Sequence, residues 1–113
     1  MPNQLDRTFA ALADPTRRQV IDHLRVSPRR AGELAATLNV SAPAMSRHLR
    51  VLRRSGLVEE ERIEEDARVH VYRLRQEHFL TLRGWLDQVE AFWADQLEAF
   101  KAHAERTRGP NPE

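Results

Sequence analysis

ELAATLNVSAPAMSRHLRVLRRSGL, residues 33–57, is the stretch around which the rest of the chain is organised. Leu34, Ala35 and Leu38 fall at i, i+1, i+4, and Met45, Leu49 and Leu52 at i, i+4, i+7. Each half therefore carries one buried helical stripe. Between them, Asn39 accepts the left-handed conformation that ends a helix. Ser41 offers an oxygen to the first N–H groups of the next helix, and Pro43 sits in its first turn, where a missing N–H costs nothing. Gly56 closes the second helix. Two short helices joined by a tight turn make a helix-turn-helix.

Charge suggests what the motif is for. The second helix carries Arg47, His48, Arg50, Arg53 and Arg54, and residues 34–58 contain no acid. From Arg29 to Val58 six arginines stand against Glu33, a net +5, whereas the whole chain carries only +1. An apolar stripe backed by arginines suits a reader of the DNA major groove, because phosphates line both edges of the groove and cations release their counterions. A solvated, arginine-rich surface helix is the plainer alternative. Agreement between motif, turn chemistry and charge segregation favours the groove reader.

Length and composition bound the rest. A chain of 113 residues, 41% hydrophobic and 31% charged, is expected to form one soluble, helix-rich domain. It has no apolar run of eighteen residues and no N-terminal apolar block, so no membrane contact and a cytoplasmic location are expected. Zero cysteines exclude disulfides and thiolate metal sites within this chain. Residues 76–113 hold four bases and seven acids, a net −3. A basic middle and an acidic end imply one face for nucleic acid and another for a different task.

Working outward toward the N-terminus, Leu5, Phe9 and Leu12 share one face of a helix over residues 4–13. Asp14 precedes Pro15, which ends that helix and caps a second one running to about Arg25. Val20, Ile21 and Leu24 form its core stripe, and Arg18 and Asp22 are spaced to pair on its outside. His23 lies beside the stripe and reads as a packing or surface residue. Residues 27–30 are a connector.

After Gly56 the pattern turns to β-branched and aromatic residues, which predicts an antiparallel hairpin over about 57–63 and 68–75. A hairpin directly after a recognition helix is a wing. Arg68, near its tip, is placed to reach a phosphate or the minor groove, although the acids at 64–66 work against it. Residues 77 to about 106 form one long helix. Phe79, Leu82, Leu86, Val89, Trp93, Leu97 and Phe100 recur every three or four residues, and Trp85 and Phe92 widen the stripe. A helix of about 30 residues is about 45 Å long, too long for the small core ahead of it to cover. The economical cover is a second copy of the chain, with the first and last helices packing across a two-fold axis. The expected interface is Leu5, Phe9, Leu12, Trp85, Val89, Phe92, Trp93 and Phe100. Residues 1–106 are thus expected to be one domain with terminal dimerisation helices, and 107–113 a flexible tail.

Four stretches together resemble the ArsR/SmtB family of winged-helix regulators. They are FAALADPTRR at 9–18, GELA at 32–35, SAPAMSRHLRVLRRSGLV at 41–58 and YRL at 72–74. The resemblance covers roughly residues 5–100. It implies a mainly α fold with a small β-hairpin, a winged helix-turn-helix of four helices, two strands and a fifth helix. It also implies a homodimer through the first and fifth helices, which binds an inverted-repeat operator in double-stranded DNA and represses transcription until an inducer releases it. Helix 42–55 would enter the major groove. On the family's pattern the DNA-contacting residues are Ser41, Ala42, Pro43, Ser46, Arg47, His48, Arg50, Arg53, Arg54 and Arg68. Many members carry Gln after the capping Ser; Ala42 stands here, able to offer only a methyl contact to thymine. Base readout then falls on Ser41, Ser46, Arg47 and Arg50, with Arg53 and Arg54 on phosphates.

The family's metal sites do not carry over. One needs cysteine on the third helix, where this chain has Ala31-Gly32-Glu33-Leu34-Ala35. Another needs Asp and His on the last helix, answered by His and Glu from the other protomer. Here Val89 follows Asp87, Phe100 stands where His is wanted and His103 where Glu is wanted. No metal and no cofactor are expected, and an inducer would be a small molecule of unstated identity. Isolated His70, His78 and His103 read as surface residues. An enzyme is disfavoured, because no phosphate-cradling loop, nucleophile elbow, HExxH or paired-carboxylate motif appears. A winged helix used for protein or ligand contacts, without sequence-specific DNA binding, is the other rival. It predicts weak DNA binding without discrimination. A metal sensor with a new His/Asp/Glu site is a third, which stoichiometric zinc binding by the dimer would support.

Overall fold

The computed structural model describes residues 2–63 and 66–108, with the side chains of all of these except 66–68 and 108. The elements run α1 (Gln4–Leu12), α2 (Pro15–Val26), α3 (Ala31–Leu38), α4 (Ala42–Arg54), β1 (Val58–Ile63), β2 (Asp66–Leu74) and α5 (Glu77–Arg108). This is the winged helix-turn-helix expected from the sequence. Among the described residues no helix is long and apolar enough to cross a membrane.

Each boundary has a local cause. The Asn3 side chain accepts the Asp6 N–H at 2.8 Å while Asp6 accepts the Asn3 N–H at 3.1 Å, a reciprocal cap on α1. The Asp14 carboxylate accepts the Thr16 and Arg17 N–H groups, and Pro15 opens α2. Glu33 accepts the Arg30 N–H at the start of α3. Asn39 does adopt the left-handed conformation, with φ 55° and ψ 48°. The Val40 N–H then returns to the Ala35 carbonyl and the Asn39 N–H to that of Ala36. Ser41 caps α4 by accepting the Ala44 N–H at 3.2 Å. Gly56, at φ 77°, ends α4 in the same way as Asn39 ends α3: the Leu57 N–H reaches the Leu52 carbonyl and the Gly56 N–H that of Arg53.

The core is built from the predicted stripes. Val20, Ile21 and Leu24 of α2, Leu34 and Ala35 of α3, and Met45, Leu49 and Leu52 of α4 are buried, together with Leu57 and Val58 at the start of the wing. In α1 the outcome differs from the expectation. Thr8 and Ala11 are the buried residues, while Phe9 is 42% exposed and Leu5 and Leu12 are half-buried. The apolar stripe of α1 therefore lies beside the face that meets the core. The inner face is polar at one end, where Gln4 Nε2 donates to the Ser55 carbonyl at 2.7 Å. The expected Arg18–Asp22 pair is replaced by two other contacts. Arg18 Nη1 donates to the Leu12 carbonyl at the end of α1, and Asp22 stands 3.9 Å from Arg25.

The wing is a two-stranded antiparallel sheet with Val58 opposite Leu74 and Arg62 opposite His70, after which the register shifts. Residues 64 and 65, expected in the turn, lie outside the described residues. The connector ahead of α3 also does more than join helices. Arg29 and Tyr72 exchange backbone hydrogen bonds of 3.1 and 2.8 Å, which pins β2 to the helix-turn-helix.

The chain divides into two compact units, Met1–Leu82 and Arg83–Glu113. The second unit is the outer part of α5. Thr107 and Arg108, expected in the tail, continue that helix, with Thr107 Oγ1 donating to the His103 carbonyl at 3.0 Å. Residues 109–113 lie outside the described residues. Trp93, Leu97 and Phe100 are 65%, 68% and 70% exposed, and Trp85 and Phe92 are exposed as well, whereas Val89 is half-buried.

Candidate nucleic-acid interface

The candidate site is the outer face of α4. Burying Met45, Leu49 and Leu52 fixes the helix's rotation, and at about 100° per residue this turns Ser46, Arg47, Arg50 and Arg54 to the opposite side. All four are exposed, as are Ser41, Ala42 and Pro43 at the N-terminal end. Among the described residues, no acid pairs with Arg47, Arg50 or Arg54. The face therefore presents three uncompensated guanidiniums and two small hydroxyls. Ser41 is committed to its cap, which leaves its hydroxyl proton available.

The two flanks of α4 are tied down by tertiary contacts. Toward the wing, Arg53 Nη1 meets Glu60 Oε2 of β1 at 2.7 Å, and the other oxygen of that carboxylate contacts His70 Nδ1 on β2. The Tyr72 hydroxyl feels the charges of the same Arg53–Glu60 pair. Burial, then the Glu60 charge, pushes that hydroxyl's pKa above the ordinary tyrosine value, with Arg53 pulling the other way. Arg53, expected on a phosphate, is thus already paired within the protomer.

Toward α1 and α2, His48 is half-buried, with Nδ1 3.4 Å from Arg17 Nη1. Arg17 in turn donates from Nε to the Ala11 carbonyl at 2.6 Å and from Nη2 to that of Ala10 at 3.1 Å. It bridges the C-terminus of α1 to α4. Its neighbour Asp14 feels burial, which raises a carboxyl's pKa. The Arg17 and Thr16 N–H bonds and the His48 and Arg17 charges outweigh it and hold the group below its ordinary value.

Of the ten residues expected at DNA, Ser41, Ala42, Pro43, Ser46, Arg47, Arg50 and Arg54 lie on one accessible face. His48 sits on its edge and Arg53 is turned to the wing. The side chain of Arg68 lies outside the described residues. Arg17 and Glu60, which set the two flanks, were missed as site residues. Arg17 appeared in the sequence only as one more basic residue after Pro15, and Glu60 only as one of several acids in the wing. Among the described residues no group of three or more His, Asp or Glu is arranged to hold a metal ion.

Residues 14–60 match the family model described as "Bacterial regulatory protein, arsR family". In sequence the chain is similar to the HTH-type transcriptional regulator Rv2034 of Mycobacterium tuberculosis. The two are 51% identical over 53 residues, 47% of this chain and 50% of that protein. It is also similar to the transcriptional repressor SdpR of Bacillus subtilis, 34% identical over 58 residues, 51% of this chain and 64% of that protein. The chain thus spans half to two-thirds of the length of these curated relatives. Among solved structures, an ArsR-like transcriptional regulator from Rhodococcus sp. RHA1 superimposes with a TM-score of 0.75 at 33% identity, over 90% of this chain and 93% of that one. The homodimeric winged helix-turn-helix DNA-binding domain Mb0332 from Mycobacterium bovis does so with a TM-score of 0.61 at 27% identity, over 78% and 79%.

Proposed function

The chain belongs to the arsR family of bacterial regulatory proteins, and from that premise we propose that it is a homodimeric, sequence-specific DNA-binding repressor. It reads an inverted-repeat operator with α4 in the major groove. The observation that carries this reading is the exposed, acid-free face of Ser46, Arg47, Arg50 and Arg54, backed by the fully buried stripe of Met45, Leu49 and Leu52. Arg47, in the N-terminal half of α4, and Arg50, one turn further on, are assigned to guanine O6 and N7, and Arg54, at the C-terminal end, to a phosphate. Wing contact through Arg68 is a secondary part of the same proposal. Work on chromosomal DNA places the protein in the cytoplasm, with no metal or cofactor required.

The dimer rests on the exposed aromatic stripe of α5 and the exposed flank of α1. A second copy related by a two-fold axis is the economical cover for both. The Mycobacterium bovis neighbour is homodimeric by its own description. Repression follows from occlusion of the promoter, the role that the Bacillus subtilis relative's name carries.

The test is binding of the purified protein to DNA upstream of its own gene, and to scrambled DNA, across a salt series. A specific regulator prefers the first by about a thousandfold or more, with a steep salt slope. Arg47→Ala then costs roughly 1–3 kcal/mol on the operator alone, as loss of a base contact does. Equal weak binding to both DNAs, unaffected by Arg47→Ala, refutes the assignment.

A further inference from the structure

Beside the α4 face, on the flank away from the wing, runs a groove that shares only Arg54 with the proposed DNA face. Its floor is Ala10 and Ala11 of α1 and Val51 of α4, its rim is Arg7, Arg17 and Arg54, and Ser55 closes one end. Its volume is about 360 Å³, ample for a ligand of ten or so heavy atoms. Val51 is a β-branched apolar side chain left 38% exposed on an otherwise basic surface. No acid lines the groove.

The three arginines are not equivalent. Arg17 is committed to the Ala10 and Ala11 carbonyls. The side chains of Arg7 and Arg54 make no hydrogen bond or ion pair among the described residues. The Gln4–Ser55 hydrogen bond fixes the approach of α1 to the end of α4, so the groove's width is set by the fold rather than by loop position. On α1, Arg7 and Ala10 lie roughly opposite the Leu5, Phe9 and Leu12 stripe. A second copy seated on that stripe leaves the groove open.

We infer that this groove binds an amphipathic organic anion, a medium-chain or aryl carboxylate. Its apolar body rests on Ala10 and Val51, over the buried Ala11, and its carboxylate lies between the Arg7 and Arg54 guanidiniums. Charge complementarity selects an anion, since guanidinium forks match carboxylate geometry. The apolar floor selects an organic one, because a bare oxyanion leaves Val51 in water and gains nothing from it. Arg54 also belongs to the proposed DNA face. Occupancy of the groove therefore withdraws a phosphate contact and releases DNA, which makes the ligand an inducer. That last consequence rests on the DNA reading; binding in the groove does not.

The experiment is a titration of the full-length protein with octanoate, followed by backbone amide NMR, with inorganic phosphate and octanol as separate titrants. Saturable shifts are expected at Ala10, Ala11, Val51 and Ser55. Affinity should fall at least about tenfold in Arg7→Ala and in Arg54→Ala, as loss of a charge-assisted bond implies, and should not change in Arg83→Ala. Both arginines are exposed, so neither variant threatens the core. Phosphate and octanol should each bind more weakly than octanoate. Shifts confined to α5, equal effects of phosphate or octanol, or affinity indifferent to Arg7 overturn the proposal. In a second arm, octanoate lowers operator affinity of the wild type but not of Arg7→Ala. If the protein binds no operator, the first arm still decides the groove and only the inducer role falls.

Discussion

At Gly56 the backbone turns with φ 77°, and a β-carbon there would stand 2.5 Å from His78 Cδ2. Two costs are therefore separable. Gly56→Ala should destabilise the protein by roughly 1–3 kcal/mol in urea unfolding, part steric and part conformational. Adding His78→Ala should recover only the steric part, because the left-handed backbone stays unfavourable for alanine. Full recovery in the double variant would mean that backbone strain contributes nothing. Asp14 allows a test against pH. Its folded-state pKa is depressed, so its contribution is complete above the unfolded value of about 4 and is lost as pH falls through the lower folded value. Asp14→Ala should cost about 1 kcal/mol near neutrality. The gap between wild type and variant should close in acid below about pH 4. A gap constant down to pH 2 would show that the cap does not act through its charge.

Among the elements, α4 has three sides with different employers: the core, the wing and α1–α2. The wing side bears on recognition. Glu60 neutralises Arg53 and holds it toward β1 and β2, so Arg53 should contribute little to counterion release when DNA is bound. Glu60→Gln removes the charge but keeps the shape. It should steepen the dependence of log affinity on log salt by about 0.9 per protomer, the value of one further phosphate contact. In the wild type Arg54→Ala should flatten the slope by a similar amount and Arg53→Ala should leave it nearly unchanged. A flattening by Arg53→Ala as large as that by Arg54→Ala would show that Arg53 leaves Glu60 for the DNA.

For the molecule as a whole, the exposed aromatic stripe is the proposed seat of a second copy. Trp93 is 65% exposed, and its ring meets that of Phe92 edge-on with centroids 5.7 Å apart. Placing a charge in a buried dimer interface is costly, so Trp93→Glu should sediment as a monomer while the wild type sediments as a dimer. The wild type's melting temperature should also rise with protein concentration, and the variant's should not. A wild type that stays monomeric would return the stripe to some other partner.

What the sequence alone determined is most of what depends on near neighbours along the chain, the expected Arg18–Asp22 pair excepted. Helix ends at Asp14, Asn39, Ser41 and Gly56, the stripes of α2 and α4, and the position of the wing follow from backbone geometry and side-chain period over a few residues. The outward face of α4 followed as well, because burying one stripe of a helix leaves the opposite side to solvent. Only the tertiary structure decided which partners meet across long separations. Glu60 meets Arg53, Arg17 reaches His48 across 31 positions, and Gln4 reaches Ser55 across 51. It also decided that α1 turns Thr8 and Ala11 inward and leaves Phe9 outside. The reason is physical: a helix with two plausible inner faces is oriented by the surface it lands on. A long arginine side chain likewise chooses among carbonyls and carboxylates by distance in space, which periodicity along the chain does not encode.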